Sequence, residues 1–201
     1  MKVYGDVRSG NCYKVKLVCS LLAIEHEWIP IDILEGETGT ADFLNKNPNG
    51  KIPVIELGDG RLLWESNAII NYLAAGSCLL PTDTFDLARV QQWQFFEQYS
   101  HEPYIAVARF IAKYLGLPED RPSEYEAKQA GGHKALAVME AQLKKTGYLI
   151  GETLTTADVS LYAYTHVAHE GGFDLSGYPA IEAWLDRIAA EPGYTRMTSA
   201  A

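Results

Sequence analysis

An α/β domain followed by an all-α domain is the fold class that the sequence predicts. Three observations carry the prediction. Strand and helix signals alternate through residues 1–76, residues 77–86 read as a linker, and residues 87–201 show helical patterns without a convincing strand. At 201 residues and 47% hydrophobic content the chain can bury a real core, which excludes intrinsic disorder as its main state.

Within residues 1–76, Val3-Tyr4 reads as a short strand. Val15, Val18, Cys19 and Leu22 recur at the spacing of one helix face. Ile29, Ile31 and Ile33 alternate as a half-buried strand does. A polar, glycine-containing stretch from Glu35 to Thr40 makes an irregular or helical connection. Ile52–Leu57 and Arg61–Trp64 flank Gly58-Asp59-Gly60, the turn chemistry of a hairpin. Glu65–Ala75 reads as a helix with Ala68, Ile69, Tyr72 and Leu73 on one side. The order β-α-β-α-β-β-α is that of a thioredoxin-like domain: a parallel pair from the crossover plus an antiparallel strand from the hairpin.

Gly76–Asp86 is rich in turn residues and suits a linker. Leu87–Tyr114 is aromatic and helical in pattern, with Pro103 set to kink or break it. Pro118–Ser123 reads as a turn, and Glu124–Lys145 as a helix with Leu136, Met139 and Leu143 on one face. Thr155-Thr156-Ala157-Asp158 is a capping-box signature, with Leu154 and Val159 at the staple positions; Asp158 therefore reads as structural. Val159, Tyr162, Ala163 and His166 continue that helix's face. Ile181, Trp184, Leu185 and Ile188 form a last helical stripe.

Charge and cysteine usage exclude several classes. The net charge of 17 − 26 = −9 has the wrong sign for a nucleic-acid partner. No apolar run approaches the roughly 20 residues of a membrane span. Met1-Lys2-Val3-Tyr4-Gly5-Asp6 has no apolar signal segment. Cys12, Cys19 and Cys78 are odd in number and lack metal or redox-pair spacing, so a reducing cytoplasm is expected. Cys19 and Cys78 read as small buried hydrophobes. The histidines make no metal constellation, so no metal site is expected.

Two segments add chemistry. Asn47-Pro48-Asn49-Gly50-Lys51-Ile52-Pro53-Val54-Ile55 is followed, ten residues on, by Trp64-Glu65-Ser66-Asn67-Ala68-Ile69. Together with the element order and the later Thr-x-Ala-Asp box, the chain resembles a cytosolic glutathione S-transferase over essentially its whole length. The opening Ser9-Gly10-Asn11-Cys12-Tyr13-Lys14 is similar to bacterial and theta-like members that use serine.

The resemblance implies glutathione as co-substrate, a small-molecule electrophile and a homodimer, with a role in detoxification. It implies that Pro53 is cis, so that the Ile52 main chain pairs with the cysteinyl part of the ligand. Glu65-Ser66 stands where strand becomes helix; the helix N-terminus and the Ser66 hydroxyl suit a carboxylate, and Glu65 suits an ammonium. Lys51 suits the glycyl carboxylate. The reaction needs the thiol as thiolate. Ser9 matches the serine of the family's Ser-x-x-Cys pattern and can donate to sulfur, and Asn11 is a second donor. Cys12 is the rival: near a helix start a thiol pKa falls, and a cysteine mechanism would mean disulfide or dehalogenase chemistry. A non-catalytic binding module of the same fold stays open as a third reading. In the helical domain, Tyr104 and Phe110 are candidates for the electrophile pocket, and Glu97 and His101 for a dimer interface.

Overall fold

Residues 1–117 and 122–198 are described by the computed structural model. They fall into two compact units: residues 1–77 together with the segment from Glu191 onward, and Cys78–Ala190. The linker read at residues 77–86 is partly helix, because Asp83 accepts from the amides of Phe85 and Asp86, both at 3.0 Å, and opens a helix at Thr84. The segment after Glu191, grouped by the sequence reading with the helical part, clusters with the first unit.

In the first unit, β1 (Lys2–Gly5), α1 (Gly10–Leu21) and β2 (Glu27–Pro30) form the crossover, with β1 and β2 parallel. A short 3-10 turn at Glu37–Gly39 and α2 (Ala41–Lys46) lead to β3 (Val54–Glu56), β4 (Leu62–Trp64) and α3 (Ser66–Ala74). The sheet order is β2-β1-β3-β4, with β3 antiparallel to both neighbours. This is the thioredoxin-like arrangement. One sheet face packs Tyr4, Phe43 and Val54 with Ile29, Ile31 and Ile52.

Two expectations need correction here. β2 stops at Pro30, short of the alternating Ile31 and Ile33, because the Asp32 carboxylate accepts from Leu34 N at 2.8 Å and turns the chain. The buried face of α3 is Ser66, Ile69, Ile70 and Ala74, while Ala68 and Tyr72 face solvent.

The described residues of the second unit build helices: α4 (Thr84–Phe96), α5 (Glu102–Lys113), α6 (Pro122–Leu143), α7 (Thr156–Thr165) and α8 (Pro179–Ala189). Pro103 opens α5, and a five-residue π-helical segment, Glu97–His101, joins it to α4. Proline cannot supply an interior N–H, and the α-helical register is interrupted there by the π-helical segment while Phe96, Glu97, His101 and Glu102 keep helical backbone. Of the Pro118–Ser123 turn, residues 118–121 lie outside the described residues. The capping box of α7 is formed, with Thr155 N donating to Asp158 at 2.9 Å. Leu136, Met139, Ile181, Trp184 and Ile188 fill the core as their spacing predicts. Among the described residues no helix is long and apolar enough to cross a membrane.

Candidate active site

The turn from β1 into α1 is pinned by Asp6. Its carbonyl accepts from Ser9 N at 3.0 Å, and its buried carboxylate takes the Arg8 guanidinium at 2.7 Å. Ser9 is thereby set as the N-cap of α1, in extended backbone conformation, with its hydroxyl accepting from Cys12 N at 3.4 Å. A serine hydroxyl that accepts from an amide keeps its own O–H to donate. Ser9 is half-buried, at the positive end of the helix dipole.

Cys12, in contrast, points inward. It is fully buried, and Gly5 exists as glycine to make room for it: a Cβ there would stand 2.8 Å from Cys12 Sγ. Burial pushes the thiol up to about 12, against hydrogen bonds from Ser9 and the Asp6 backbone that pull the other way. The expected lowering of the Cys12 pKa at the helix start does not occur, because desolvation outweighs the dipole. Cys19 is buried as expected and its thiol is likewise raised to about 12 by desolvation, whereas Cys78, expected to be buried, is exposed after α3.

A second part is organised by Asn47, which is 2% exposed. Its amide donates to Lys51 O at 2.6 Å, its carbonyl oxygen takes Asn49 N at 3.0 Å, and its main-chain oxygen takes Gly50 N at 2.9 Å. Gly50 has φ +63°, the left-handed region that a tight turn of this kind gives to glycine. The result presents Lys51 to solvent and brings the chain into a cis Ile52-Pro53 bond. β3 begins only at Val54, so Ile52 lies beyond the ladder.

The third part is the start of α3. Glu65 is its N-cap, exposed, without a side-chain cap hydrogen bond, and at φ +72°, ψ +111°. That conformation is costly for a residue with a Cβ, on the order of 1–3 kcal/mol, and such outliers collect at ligand sites. Ser66 is buried and joins two residues of α1: Lys14 Nζ donates to its hydroxyl at 3.3 Å, and the hydroxyl donates to Asn11 Oδ1 at 3.3 Å. Asn11 and Lys14 share a helix face by their i, i+3 spacing. Lys14, 0% exposed, was missed by sequence reading: a lysine in an amphipathic pattern reads as solvated. Its signal is its place three residues after Asn11.

The structure thus places Ser9, Asn11 and Ser66 on one connected construction at the starts of α1 and α3, with Lys51, Ile52, Pro53 and Glu65 at the neighbouring ends of the sheet's connections. Tyr4 does not join it; its hydroxyl donates to Glu56 at 2.5 Å, and that contact raises its pKa to about 12. In the helical unit, Glu97 and His101 are fully buried, with His101 Nε2 2.9 Å from Thr165 Oγ1, so the expectation that they face a second subunit is overturned. Thr165 donates its proton to Leu161 O, so His101 donates through Nε2. Tyr104 packs over Gly131 with Lys128 near its ring, and the partly exposed Phe110 stacks on Tyr114 at 5.4 Å. Among the described residues no group of three or more His, Cys, Asp or Glu side chains is placed to hold a metal.

A thioredoxin-like domain followed by a helical one is the architecture of the glutathione S-transferase class. Residues 8–75 match the glutathione S-transferase N-terminal domain model and residues 94–192 the C-terminal domain model. The chain is 32% identical to glutathione S-transferase 3 of Zea mays, over 100% of this chain and 94% of that protein. A solved glutathione S-transferase from Pseudomonas fluorescens Pf-5 is 61% identical, with a TM-score of 0.98 and 98% of each chain covered. A glutathione transferase from Phanerochaete chrysosporium, solved with oxidized glutathione, is 27% identical with a TM-score of 0.86, covering 96% of this chain and 91% of that one. The chain belongs to the glutathione S-transferase family and is a glutathione transferase.

Proposed function

We propose that this enzyme binds glutathione as co-substrate, stabilises its thiolate with the Ser9 hydroxyl, and directs it at a small electrophile. The observation that carries the reading is the contrast within one helical turn: the Ser9 hydroxyl stands half-buried at the start of α1, while the Cys12 thiol is sealed in the core and its pKa is pushed up by burial. Stabilising a developing or resident anion by a fixed donor at a helix N-terminus is worth roughly 10²-fold in rate. Asn11 is a second donor through its amide NH₂, with its Oδ1 accepting from the Ser66 hydroxyl. Lys51 and the α3 start suit the two carboxylates, Glu65 the ammonium, and the Ile52 main chain the cysteinyl amide, as an added strand would.

A homodimer is supported by the family. The free cysteines support a reducing, cytoplasmic setting.

The test is a pH titration of glutathione thiolate absorbance with the protein present, against a protein-only blank. A thiol pKa clearly below that of free glutathione, abolished by Ser9→Ala and kept by Cys12→Ala, is the expected result. The reverse pattern moves the chemistry to Cys12. Absence of binding removes the glutathione reading for this chain.

A further inference from the structure

Helix α1 is held on two flanks, and the second flank is made by a distant part of the chain. Asn11 and Lys14 face Ser66 of α3. Tyr13, Lys16 and Ser20 lie on another stripe, about 150° around the helix at 100° per residue. All three donate to main-chain oxygens of one segment: Tyr13 OH to Thr195 O at 2.8 Å, Lys16 Nζ to Met197 O at 3.4 Å, and Ser20 Oγ to Gly193 O at 2.6 Å. The segment lies close: Gly193 has φ +84°, and a Cβ there would be 3.0 Å from Ser20 O. Lys16 is 5% exposed and Met197 4%. Burial also lowers the Lys16 pKa, a sign that the helix gives up hydration of a cation to make this contact.

We propose that residues 193–197 act as a positioning strap for the thiol-activating turn, and that Tyr13, Lys16 and Ser20 are positioning residues acting through it on Ser9 and Asn11. The stripe spans the length of α1, and Tyr13 N donates to Ser9 O at 2.9 Å, so the strap reaches the N-cap through the first turn of the helix. With one flank released, α1 keeps its tie to Ser66 and its fold but loses its fixed orientation. A donor displaced by a few tenths of an ångström stabilises a thiolate less. The inference rests on the reading of Ser9 as the thiolate donor.

The experiment is the triple variant Tyr13→Phe, Lys16→Met, Ser20→Ala, which removes the three donors and keeps the apolar volume, compared with Lys16→Arg, which keeps a donor. Bound-glutathione thiol pKa, KM for glutathione, kcat and thermal unfolding are measured on each. The expected result is a bound-thiol pKa moved toward that of free glutathione and kcat/KM lower by about 10-fold at neutral pH, with Lys16→Arg close to the parent. A lower unfolding temperature with thiol pKa and KM unchanged assigns the strap a purely structural role and overturns the proposal. If the triple variant does not fold, Ser20→Ala and Tyr13→Phe are measured singly, and an unshifted thiol pKa in both overturns it equally. A parent protein with no thiol shift at all fails the Ser9 reading instead, which separates the two.

Discussion

Two helices of this chain begin in opposite ways. At α7 the chain satisfies itself: Asp158, fully buried, accepts from Leu149 N, Thr155 N and Thr155 Oγ1 at 2.9 Å and from Trp184 Nε1 at 3.0 Å. At α3 the N-cap is Glu65, with no side-chain cap hydrogen bond and a left-handed φ. The first start is complete without a ligand. The second carries backbone strain and presents a carboxylate and a helix N-terminus outward. A helix start that closes on its own side chains is architecture; one held open against its backbone preference is where a ligand belongs.

Substitutions break or sharpen this contrast. The largest effect is expected for Asp158→Ala, which leaves several buried donors without an acceptor at roughly 1–3 kcal/mol each. Urea unfolding should show a loss of about 4 kcal/mol, with glutathione affinity of the folded protein unchanged. Ser9→Ala should slow conjugation of a chloronitrobenzene by about 10²-fold, with little change in unfolding midpoint. Ser66→Ala should weaken glutathione binding by about 10-fold in calorimetry, since it takes the hydroxyl from between Lys14 and Asn11. Glu65→Gly is the sharpest comparison: relief of the left-handed φ should raise stability by about 0.5–1 kcal/mol while glutathione affinity falls. Equal loss of both would show that Glu65 is held for the fold and not for the ligand.

A last comparison is one of pH. Burial raises the Cys12 and Cys19 thiols to about 12 in the folded chain, from an ordinary value of 9.0. The unfolded chain therefore releases these protons first, and stability should fall as pH rises from about 9 towards 12. His166 moves the other way: burial lowers it to about 4 from 6.5, so its contribution is full above 6.5 and is lost as pH falls towards 4. Thermal unfolding across pH 4–11 reads both arms, and Cys12→Ala should shrink the alkaline one.

Patterns that repeat over a few residues were legible in the sequence. The Gly58-Asp59-Gly60 hairpin, the helix interruption at Pro103 and the α7 capping box each follow from local backbone chemistry. The pairing of Asn47–Pro53 with Glu65-Ser66 picked out two segments that flank the paired strand positions Val54 and Trp64, because turn and cap residues carry position-specific roles. What stayed hidden depends on where a side chain lands. Lys14 and Lys16 carried no signal in the sequence because charge is normally costly to bury, yet one meets Ser66 and the other a main-chain oxygen. Cys78 read as core by composition and is exposed by its place after a helix end. Cys12 reads as activated from the dipole alone; only the closeness of Gly5 shows that desolvation wins.

The return of the chain after Glu191 to its first unit has a topological meaning. The helical unit, Cys78–Ala190, is in effect an insertion within the thioredoxin-like unit, which is finished by residues that come after it. During synthesis, the first helix is made early but must wait for nearly the whole chain before its far side is covered. The Ser20–Gly193 contact ties that late segment to the first helix. A chain in which the residues from Glu191 onward came directly before Met1, with new ends beside Ser77, would let that unit assemble from contiguous sequence.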